Sequence, residues 1–419
     1  MSVGVNPATR LPRGADLALS GWLLFWAGLL VVYNHAGAYA YAGLAVLLGA
    51  AGWLVLIRRT PLRGRALLLG VAWSGLFLWM FASQSWAADV PEIASQNTTP
   101  RLGAQLALML SLPALVATRG EGARSALSHV LMATAVAGAA VMAADVATGY
   151  GLAFALDPVP PGGSVAARQS EAEMHLGRGL VAWSVLAPVV LALMAARLRP
   201  WQAWVAGALF VGLLVVAGGL NRLVVPLIIL AAALPAMVLA RFAPRAVQRL
   251  GLAASLGVVL FAPLVGWLAG RVPESVLARL PLSWDHRLRM WDYAAARIAE
   301  APLRGHGMDA SRAMQDSFTT RIGVDIPYIS LHPHNIGLQV WLELGAVGAL
   351  LACLGIGATL WMAARAAARS RWQGAALGGL VFATLAASLV TVGAWQYWFW
   401  GLVALAGALT FLLPGDDTA

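Results

Sequence analysis

Long apolar segments, separated by shorter polar ones, follow one another along the whole chain. Each is close to the ~20 residues that an α-helix needs to cross the hydrocarbon core of a bilayer. The segments lie at about residues 17–33, 36–57, 66–83, 102–118, 126–148, 177–196, 201–217, 222–240, 247–268, 336–362, 373–392 and 395–413. The pattern predicts an all-α polytopic membrane protein with about twelve transmembrane helices. Residues 1–419 form a single integral membrane domain in this interpretation, with no internal repeat.

Two polar segments are longer than the other connections, at residues 149–177 and 269–335. Within the second, residues 283–300 are predicted to form an amphipathic helix, because Trp284, Trp291 and further apolar residues recur at helical spacing. An aromatic-bearing amphipathic helix next to a membrane span can lie in the plane of the interface. Packing against other parts of the loop is the alternative, and both can hold together.

The composition agrees with a membrane protein and excludes several other classes. Of the 419 residues 60% are hydrophobic and 11% are charged, and the mean hydropathy is +0.76. The only cysteine, Cys353, lies within an apolar segment, so neither a disulfide framework nor a thiolate metal site is expected. All 28 basic residues are arginine, and they lie in short clusters between apolar segments. The net charge of +10 therefore reflects membrane topology rather than binding to nucleic acid.

The arginines are divided unequally between the two sides of the predicted membrane. Sixteen of the 28 fall on one side, at positions 10, 13, 58, 59, 63, 65, 119, 124, 197, 199, 241, 245, 249, 365, 369 and 371. By the positive-inside rule this side is cytoplasmic, which places both termini inside and both long loops outside. Arg10 and Arg13 precede the first apolar segment as in a signal peptide, but no small-residue cleavage site follows, so an uncleaved first span is expected.

The clearest candidate for chemistry is the stretch from residue 331 to 335, at the end of the longer outer loop. It contains His332, Pro333, His334 and Asn335, directly before an apolar segment. Pro333 favours extended geometry at His332 and allows a helix to begin soon after it. His334 is thus expected at a helix entrance at the membrane edge. Its ordinary pKa near 6.5 suits a general base at neutral pH.

Arginines near the same side are candidates for binding an anion. Arg222 follows Gly218-Gly219-Leu220-Asn221 on the outer side, against the positive-inside bias. It can either reach lipid phosphates or serve as a fixed cation for a lipid-linked anion. Arg178, at the outer start of its span, has the same alternatives. Arg287 and Arg289 are two residues apart on the predicted loop helix, so they cannot share a face. Arg287 is favoured over Arg289 as the residue that binds the anion.

The sequence leaves two other chemistries open. His332 and His334 could bind zinc, but His286 and His306 do not lie at a recognised ligand spacing, and the outer loops contain no Asp-x-Asp pair. No metal is therefore expected. Glu343, inside an apolar segment, could be an ion site of a transporter. Pairing with an arginine or with a donor at a span end is the favoured alternative for Glu343.

The order of motifs in residues 218–348 resembles that of the O-antigen ligase and polymerase superfamily. The matching motifs are Gly-x-Asn-Arg ending at Arg222, Arg287-x-x-x-Trp291, Pro302-Leu303-x-Gly305-x-Gly307, His332-Pro333-His334-Asn335-x-x-Leu338-Gln339, and Glu343-Leu344-Gly345-x-x-Gly348. One departure is Asn221, where the family usually has serine. The frame of about twelve spans, with a large loop between spans nine and ten, extends the resemblance over most of the chain.

The resemblance implies a lipid-dependent glycosyltransferase architecture of the GT-C type in a bacterial inner membrane. It also implies transfer of a glycan from undecaprenyl pyrophosphate to an acceptor at the periplasmic face, without metal, ATP or another cofactor. For a ligase the glycan is O-antigen and the acceptor is a sugar hydroxyl of lipid A-core. By motif, Arg222 and Arg287 would bind the pyrophosphate and His334 would act on the acceptor. Arg178 matches more loosely.

Asn335, His332 and Trp291 would support the site. Direct displacement by the acceptor predicts inversion of the anomeric configuration. Polymerases of the superfamily often have two large outer loops, and protein-glycosylating members usually carry extra sequence after the last span. One dominant loop, and an end at Ala419 soon after Phe411, favour a ligase. A polymerase is the second alternative, and a transporter or channel is the third.

Overall fold

A computed structural model describes residues 13–58, 60–87, 92–156, 165–367 and 369–415, and this part of the chain is mainly helical. Its α-helices are α1 (Arg13–Gly28), α2 (Leu30–His35), α3 (Ala40–Leu56), α4 (Thr60–Ser83), α5 (Glu92–Met109), α6 (Leu112–Ala117), α7 (Glu121–Thr148), α8 (Gly151–Leu156), α9 (Val165–Arg197), α10 (Pro200–Leu220), α11 (Val225–Phe242), α12 (Pro244–Leu260), α13 (Ala262–Ala269), α14 (Glu274–Leu277), α15 (Leu282–Glu300), α16 (Ile336–Ala367), α17 (Arg371–Val390) and α18 (Tyr397–Leu409). Short 3-10 helices lie at Gln84–Trp86, Ala310–Ala313 and Thr410–Leu412, and two strands are β1 (Ser317–Thr319) and β2 (Asp325–Pro327).

Every predicted apolar segment is occupied by helix. Among the described residues nine helices are long and apolar enough to cross a membrane, and the count reaches ten if α12 and α13, bent by 62°, form one span. Two shorter apolar helices, Ala40–Leu56 and Tyr397–Leu412, occupy the remaining predicted segments. The prediction of a helical polytopic membrane protein is thus confirmed. The number of about twelve spans stays a prediction.

The centre of the bundle is formed by α9 and α17, whose most apolar windows are 83% and 78% buried within the protein. Small residues allow α17 to pack closely against α11 and α9. A Cβ on Gly378 would lie 2.5 Å from Ala240 Cβ on α11, and one on Gly379 would lie 2.6 Å from Pro188 Cβ on α9. Along the chain, Gly374 faces Pro244 and Gly378 faces Ala240, so α17 runs antiparallel to α11. The end of α17 therefore lies at the same end of the bundle as the start of α11.

The segment 149–177, predicted as a loop, is more helical than expected. It contains α8 and the first turns of α9, while residues 157–164 lie outside the described part. The polar start of α9 follows helical spacing, since Gln169 Nε2 donates to Glu173 Oε1 at 3.0 Å, four residues on. Polarity had suggested a loop here, but a helix tolerates polar residues where it leaves the apolar region.

The longer segment, 269–335, contains the predicted helix, and α15 begins only one residue before the expected position. Met290, Trp291 and Ile298 on α15 share a buried cluster with Leu338 and Leu342 of α16. Met314 and Ile329 of the same segment belong to this cluster too, so α15 packs against other parts of the loop as well as against α16. Its position in the plane of the membrane interface stays a prediction. The antiparallel hairpin β1–β2, in which Phe318 pairs with Ile326, was not predicted.

A break in α16 distinguishes it from the other long helices. Gly345 has φ 64° and ψ −166°, a conformation that interrupts the helix and is open essentially only to glycine. The interruption frees backbone groups, which need partners because this part of the chain is buried. The N–H groups of Ala346 and Val347 donate to the carbonyls of Pro302 and Leu303 at 2.9 and 3.2 Å.

The same loop also satisfies the carbonyls before the break. The N–H of His306 donates to Leu342 O at 2.9 Å, and the N–H of Gly307 donates to Glu343 O at 2.8 Å. Gly305 passes so close that a Cβ there would lie 2.4 Å from the Glu343 carbonyl. The Pro302–Gly307 and Glu343–Gly345 motifs of the sequence are therefore packed against each other and joined by backbone hydrogen bonds.

Substituting Gly345 by alanine is expected to destabilise the protein by about 1–3 kcal/mol or more, since alanine is strained in this conformation. The added Cβ would also lie 2.3 Å from the Leu303 carbonyl oxygen. Thermal unfolding of the purified protein in detergent measures the effect. Gly357→Ala is the matched control on the same helix, because a Cβ there meets nothing within 4 Å. Equal melting temperatures for the two variants would contradict this account of the break.

Candidate active site

The peptide around His334 is fixed from both sides. Asn335 caps α16, since its Oδ1 accepts from the N–H of Leu338 at 3.1 Å. On the other side, Trp291 Nε1 donates to the carbonyl of Pro333 at 2.9 Å, and this contact is buried. The predicted helix entrance is present, and Asn335 and Trp291 both hold it in place.

His334 has φ 52°, in the left-handed region that non-glycine residues rarely adopt. Its N–H donates to Nδ1 of His332 at 3.2 Å, and the two rings lie 4.4 Å apart in an edge-on arrangement. Such backbone strain costs of order 1–3 kcal/mol and persists only where surrounding contacts enforce it. His332 is one of those contacts, which gives it a definite supporting role.

His332 is built to remain neutral. Because Nδ1 accepts a hydrogen bond, the ring hydrogen belongs on Nε2. This nitrogen lies 3.1 Å from the amide nitrogen of Gln396, so the Gln396 amide must turn its oxygen towards the ring to accept from Nε2. Burial lowers the pKa of His332 to about 3, with smaller contributions from His334 and Arg312. A neutral imidazole at this position keeps its acceptor nitrogen available to the strained peptide of His334.

The His334 ring has the opposite arrangement. Its Nδ1 donates to the carbonyl oxygen of Thr391 at 2.9 Å, and a carbonyl can only accept, so the hydrogen is on Nδ1. Nε2 then carries a free lone pair and has no hydrogen-bond partner among the described residues. Burial lowers the pKa of His334, the Thr391 carbonyl raises it, and Arg287 lowers it further. His334 is thus a neutral imidazole with an open basic nitrogen.

Arg287 is held at the same helix end as His334. Its Nε donates to the carbonyl of Val390 at 3.2 Å, and its Nη1 donates to that of Ser283 at 2.9 Å. Val390 and Thr391 are consecutive, so the last carbonyls of α17 position both Arg287 and His334. The partial negative charge at a helix C-terminus favours this cation. Within the described chain, no carboxylate pairs with Arg287.

Arg289 is placed differently on α15. Its guanidinium bonds Glu274 at 2.7 Å and Asp285 at 2.9 Å. Two carboxylates therefore neutralise this cation, whereas Arg287 keeps an uncompensated charge next to His334. The preference for Arg287 over Arg289 as the anion-binding residue stays a prediction.

Arg222 is exposed and, like His334, has a left-handed backbone, with φ 52°. The preceding Asn221 is fixed at both ends of its amide: Oδ1 accepts from Tyr150 Oη at 3.0 Å, and Nδ2 donates to the carbonyl of Glu173 at 3.1 Å. Arg222 has no carboxylate partner among the described residues. The asparagine that departs from the family pattern thus anchors the arginine that follows it.

Arg178 lies close to Asn221 and the start of α11. Its guanidinium carbon is 4.5 Å from the centre of the Tyr39 ring, and its buried Nη1 has no hydrogen-bond partner in the described structure. A Cβ on Gly177 would lie 3.2 Å from Leu223, so α9 passes the start of α11 at Gly177, about three turns after α9 begins. The structure places Arg178 and Arg222 on these two neighbouring segments, and Arg287 and His334 together at the end of α17.

The other two histidines of segment 269–335 lie within hydrogen-bond distance of backbone carbonyls. His286 Nε2 lies 3.1 Å from the carbonyls of both Pro327 and Tyr328, and His306 Nε2 lies 2.7 Å from the carbonyl of Arg297. In the part of the chain that the structure describes, no group of three or more His, Cys, Asp and Glu residues could hold a metal ion. The described residues therefore offer no set of ligands for the zinc site considered in the sequence analysis.

Several contributors to the site were missed by sequence reasoning. Val390 and Thr391 act through backbone carbonyls, which leave no mark on residue type. Tyr150 and Gln396 act through side chains far away in the sequence from the residues they support. The one available signal was Gly149, which precedes Tyr150 and has φ 93°, as expected where a helix ends.

The fold and the site together define a helical membrane protein in which a neutral histidine and arginines without carboxylate partners among the described residues lie at one end of the bundle. Comparison with known proteins narrows this class. The chain is 38% identical over 81 residues to a candidate polysaccharide ligase of Rickettsia conorii, covering 19% of this chain and 20% of that protein. It is 40% identical over 85 residues to one from Rickettsia typhi, covering 19% and 21%.

A candidate polysaccharide ligase of Rickettsia prowazekii is 39% identical over 85 residues, again 19% of this chain and 21% of the relative. The chain thus aligns with about a fifth of the length of each curated relative it matches. No family model matches the chain. The resemblance to ligases seen in the motifs is confirmed over that fifth of the chain.

Acidification is expected to destabilise the protein through His332. Its folded pKa of about 3 lies below the ordinary 6.5, so its stability contribution is complete above 6.5 and is lost as the pH falls towards 3. His332→Asn keeps an acceptor near Nδ1 but cannot titrate. The variant should lose less stability than the parent between pH 7 and 5, by up to about 2 kcal/mol.

Thermal unfolding in detergent at the two pH values measures this difference. His129→Asn, which removes an exposed histidine on α7, is the control and should respond to acid as the parent does. An unchanged acid response in His332→Asn would show that His332 is not the group that titrates.

Proposed function

We propose that the protein is an O-antigen ligase of lipopolysaccharide biosynthesis. It transfers O-antigen polysaccharide en bloc from undecaprenyl pyrophosphate to a sugar hydroxyl of lipid A-core. The observation that carries the proposal is the pairing of His334, with Nδ1 bound to Thr391 and Nε2 open, with Arg287 on the adjacent carbonyl. The names of the rickettsial relatives support a polysaccharide as the transferred group.

His334 is the general base of the proposed reaction. Its Nε2 takes the proton of the acceptor hydroxyl while that oxygen attacks the anomeric carbon of the donor sugar, and the bond to pyrophosphate breaks. The Thr391 carbonyl holds the ring in the tautomer that leaves Nε2 free. Attack from the side opposite the leaving group inverts the anomeric configuration.

The arginines without carboxylate partners are the proposed binding site of the donor pyrophosphate. Arg287, Arg222 and Arg178 present guanidinium groups, which match phosphate oxygens in bidentate fashion and keep their charge at all relevant pH values. They stabilise the negative charge that grows on the leaving group. Because pyrophosphate is already a good leaving group, the proposed transfer uses neither ATP nor a metal ion.

The proposed location follows from the arginine distribution. With the arginine-rich loops inside, both termini are cytoplasmic and the site at the end of α17 faces the periplasm of a bacterial inner membrane. Donor and acceptor are both lipid-anchored, so they can meet at this membrane face. The proposed architecture is that of a lipid-dependent glycosyltransferase of the GT-C type.

The surroundings of Glu343 argue against the transporter alternative. Its carboxylate is fully buried and accepts hydrogen bonds from Asp309 N–H, Ser311 Oγ, Gln339 Nε2 and Trp395 Nε1 at 2.6–2.9 Å. A carboxylate with these four donors is a structural acceptor rather than an open ion site.

Deleting the gene distinguishes the proposed ligase from a polymerase. Loss of a ligase should leave full-length polymer on the lipid carrier and bare core on lipid A. Loss of a polymerase would instead leave core bearing a single repeat unit. Gel analysis of lipopolysaccharide and of the lipid-linked pool measures the two products. Reintroduction of the parent gene should restore the polymer on lipid A, and unchanged lipopolysaccharide in the deletion strain would reject both functions.

Substitutions in the site test its assignment. His334→Ala should lower transfer about 10²–10⁴-fold through loss of the base. Arg287→Gln and Arg222→Gln should lower it about 10²-fold or more through loss of charge stabilisation. Arg289→Gln should change it less than about fivefold, because the ion pairs it loses are partly exposed. The measurement is transfer from lipid-linked donor by purified protein, at matched expression. Near-normal transfer by His334→Ala would remove this residue from the mechanism.

A further inference from the structure

Glu343 joins three separate segments through the two oxygens of one buried side chain. Oε2 accepts from the N–H of Asp309 and from Trp395 Nε1, both at 2.7 Å. Oε1 accepts from Ser311 Oγ at 2.6 Å and from Gln339 Nε2 at 2.9 Å. The loop after α15, the first turns of α16 and the segment before α18 therefore meet at this carboxylate.

Gln339 extends the connection towards the histidines. Its Nε2 donates to Glu343, while its Oε1 accepts from the N–H of Ala394 at 2.7 Å. The neighbouring Gly393 packs on the ring of His332, since a Cβ there would lie 2.8 Å from His332 Cδ2. The orientation of the Gln339 amide is thus determined at both ends, with its donor towards Glu343 and its acceptor towards Ala394.

The segment 391–396 held in this way supplies both contacts of the histidine pair. Its first residue, Thr391, accepts from Nδ1 of His334, and its last, Gln396, faces Nε2 of His332. A shift of this segment would release the His334 ring and disturb the neutral state of His332. The position of the base therefore depends on groups inside α16.

We infer that Glu343 and Gln339 are positioning residues for glycan transfer, which fix segment 391–396 and thereby orient His334. This role rests on the proposed function of His334 as the base. Both side chains are buried, and both act through Ala394 and Trp395.

The direction of the hydrogen bonds makes the inference testable by exchanging the two side chains. In Glu343→Gln the new amide must point its oxygen at the N–H groups of Asp309 and Trp395. Its NH₂ group then faces the NH₂ group of Gln339, and two donors oppose each other. In Gln339→Glu two carboxylates face each other at this contact instead, which is unfavourable in a buried site.

The double variant Gln339→Glu/Glu343→Gln lets each contact form again. Only the Ser311 bond is reversed, because its hydroxyl oxygen now accepts from the new NH₂ group while its hydrogen remains bonded to the Leu331 carbonyl, 3.2 Å away. The glutamine at 343 accepts from Asp309 and Trp395 and donates to the glutamate at 339, whose second oxygen accepts from Ala394. Each single variant should lower kcat on the order of 100-fold through misplacement of the base, with a much smaller change in KM. The double variant should recover most of the parent kcat.

A second readout reports on His334 without any need for transfer. Diethyl pyrocarbonate acylates the free ring nitrogen of a neutral histidine, and mass spectrometry of the purified full-length protein gives the labelling rate of His334. The rate should change severalfold in each single variant and return to the parent value in the double variant. Gln169→Glu is the matched control, since Gln169 pairs with Glu173 at the same spacing on an exposed helix surface.

The outcomes separate this inference from the proposed function. Rescue of both kcat and labelling by the double variant supports the positioning role. Rescue of labelling, in a protein whose transfer does not depend on His334, supports the positioning role and rejects the proposed base. Parent-like labelling in both single variants overturns the inference, whatever their transfer rates. Failure of the double variant to regain kcat and labelling, while it melts like the parent, overturns it as well.

Discussion

A helix that is interrupted within an apolar bundle must find partners for its freed backbone groups, and this constraint organises the structure around α16. At Gly345 the helix breaks, and the loop from Pro302 to Gly307 donates to and accepts from the groups on both sides of the break. Water cannot replace these bonds at this depth, so the loop is obliged to enter the bundle. The loop that follows α15 is thereby tied to α16, which begins at Ile336, directly after His334 and Asn335.

Strained backbone conformations recur at the candidate site. His334 and Arg222 both have φ 52°, and Asp309, beside Glu343, has φ 62°. Residues in this region persist where their surroundings determine them, and they recur at functional sites. For His334 the surroundings are Trp291, His332 and Thr391; for Arg222 they are the two bonds of Asn221. The residues proposed to act on donor and acceptor are thus held before either substrate arrives, which lowers the cost of orienting reactants.

Much of this could be predicted from the sequence, and the missing part has a common cause. Apolar length indicates spans, helical spacing indicates α15, and an isolated proline between histidines indicates a helix entrance. The break at Gly345, the β1–β2 hairpin and the carbonyls of Val390 and Thr391 depend instead on backbone geometry and on contacts between distant segments. Glu343 illustrates this difference. Its burial was predictable from the apolar segment around it, whereas its four hydrogen-bond donors come from positions 309, 311, 339 and 395 and could not be predicted.

The attachment of Arg287 and His334 to consecutive carbonyls of one helix has a consequence for how the protein responds to its lipid surroundings. Bilayers of different thickness tilt or displace membrane helices to match their hydrophobic length. A displacement of α17 carries Val390 and Thr391 together, and with them the side chains of Arg287 and His334. The separation between these two side chains is therefore insulated from bilayer thickness. In the proposed transfer reaction, changes in membrane composition would thus act on delivery of the lipid-anchored substrates rather than on the chemical step.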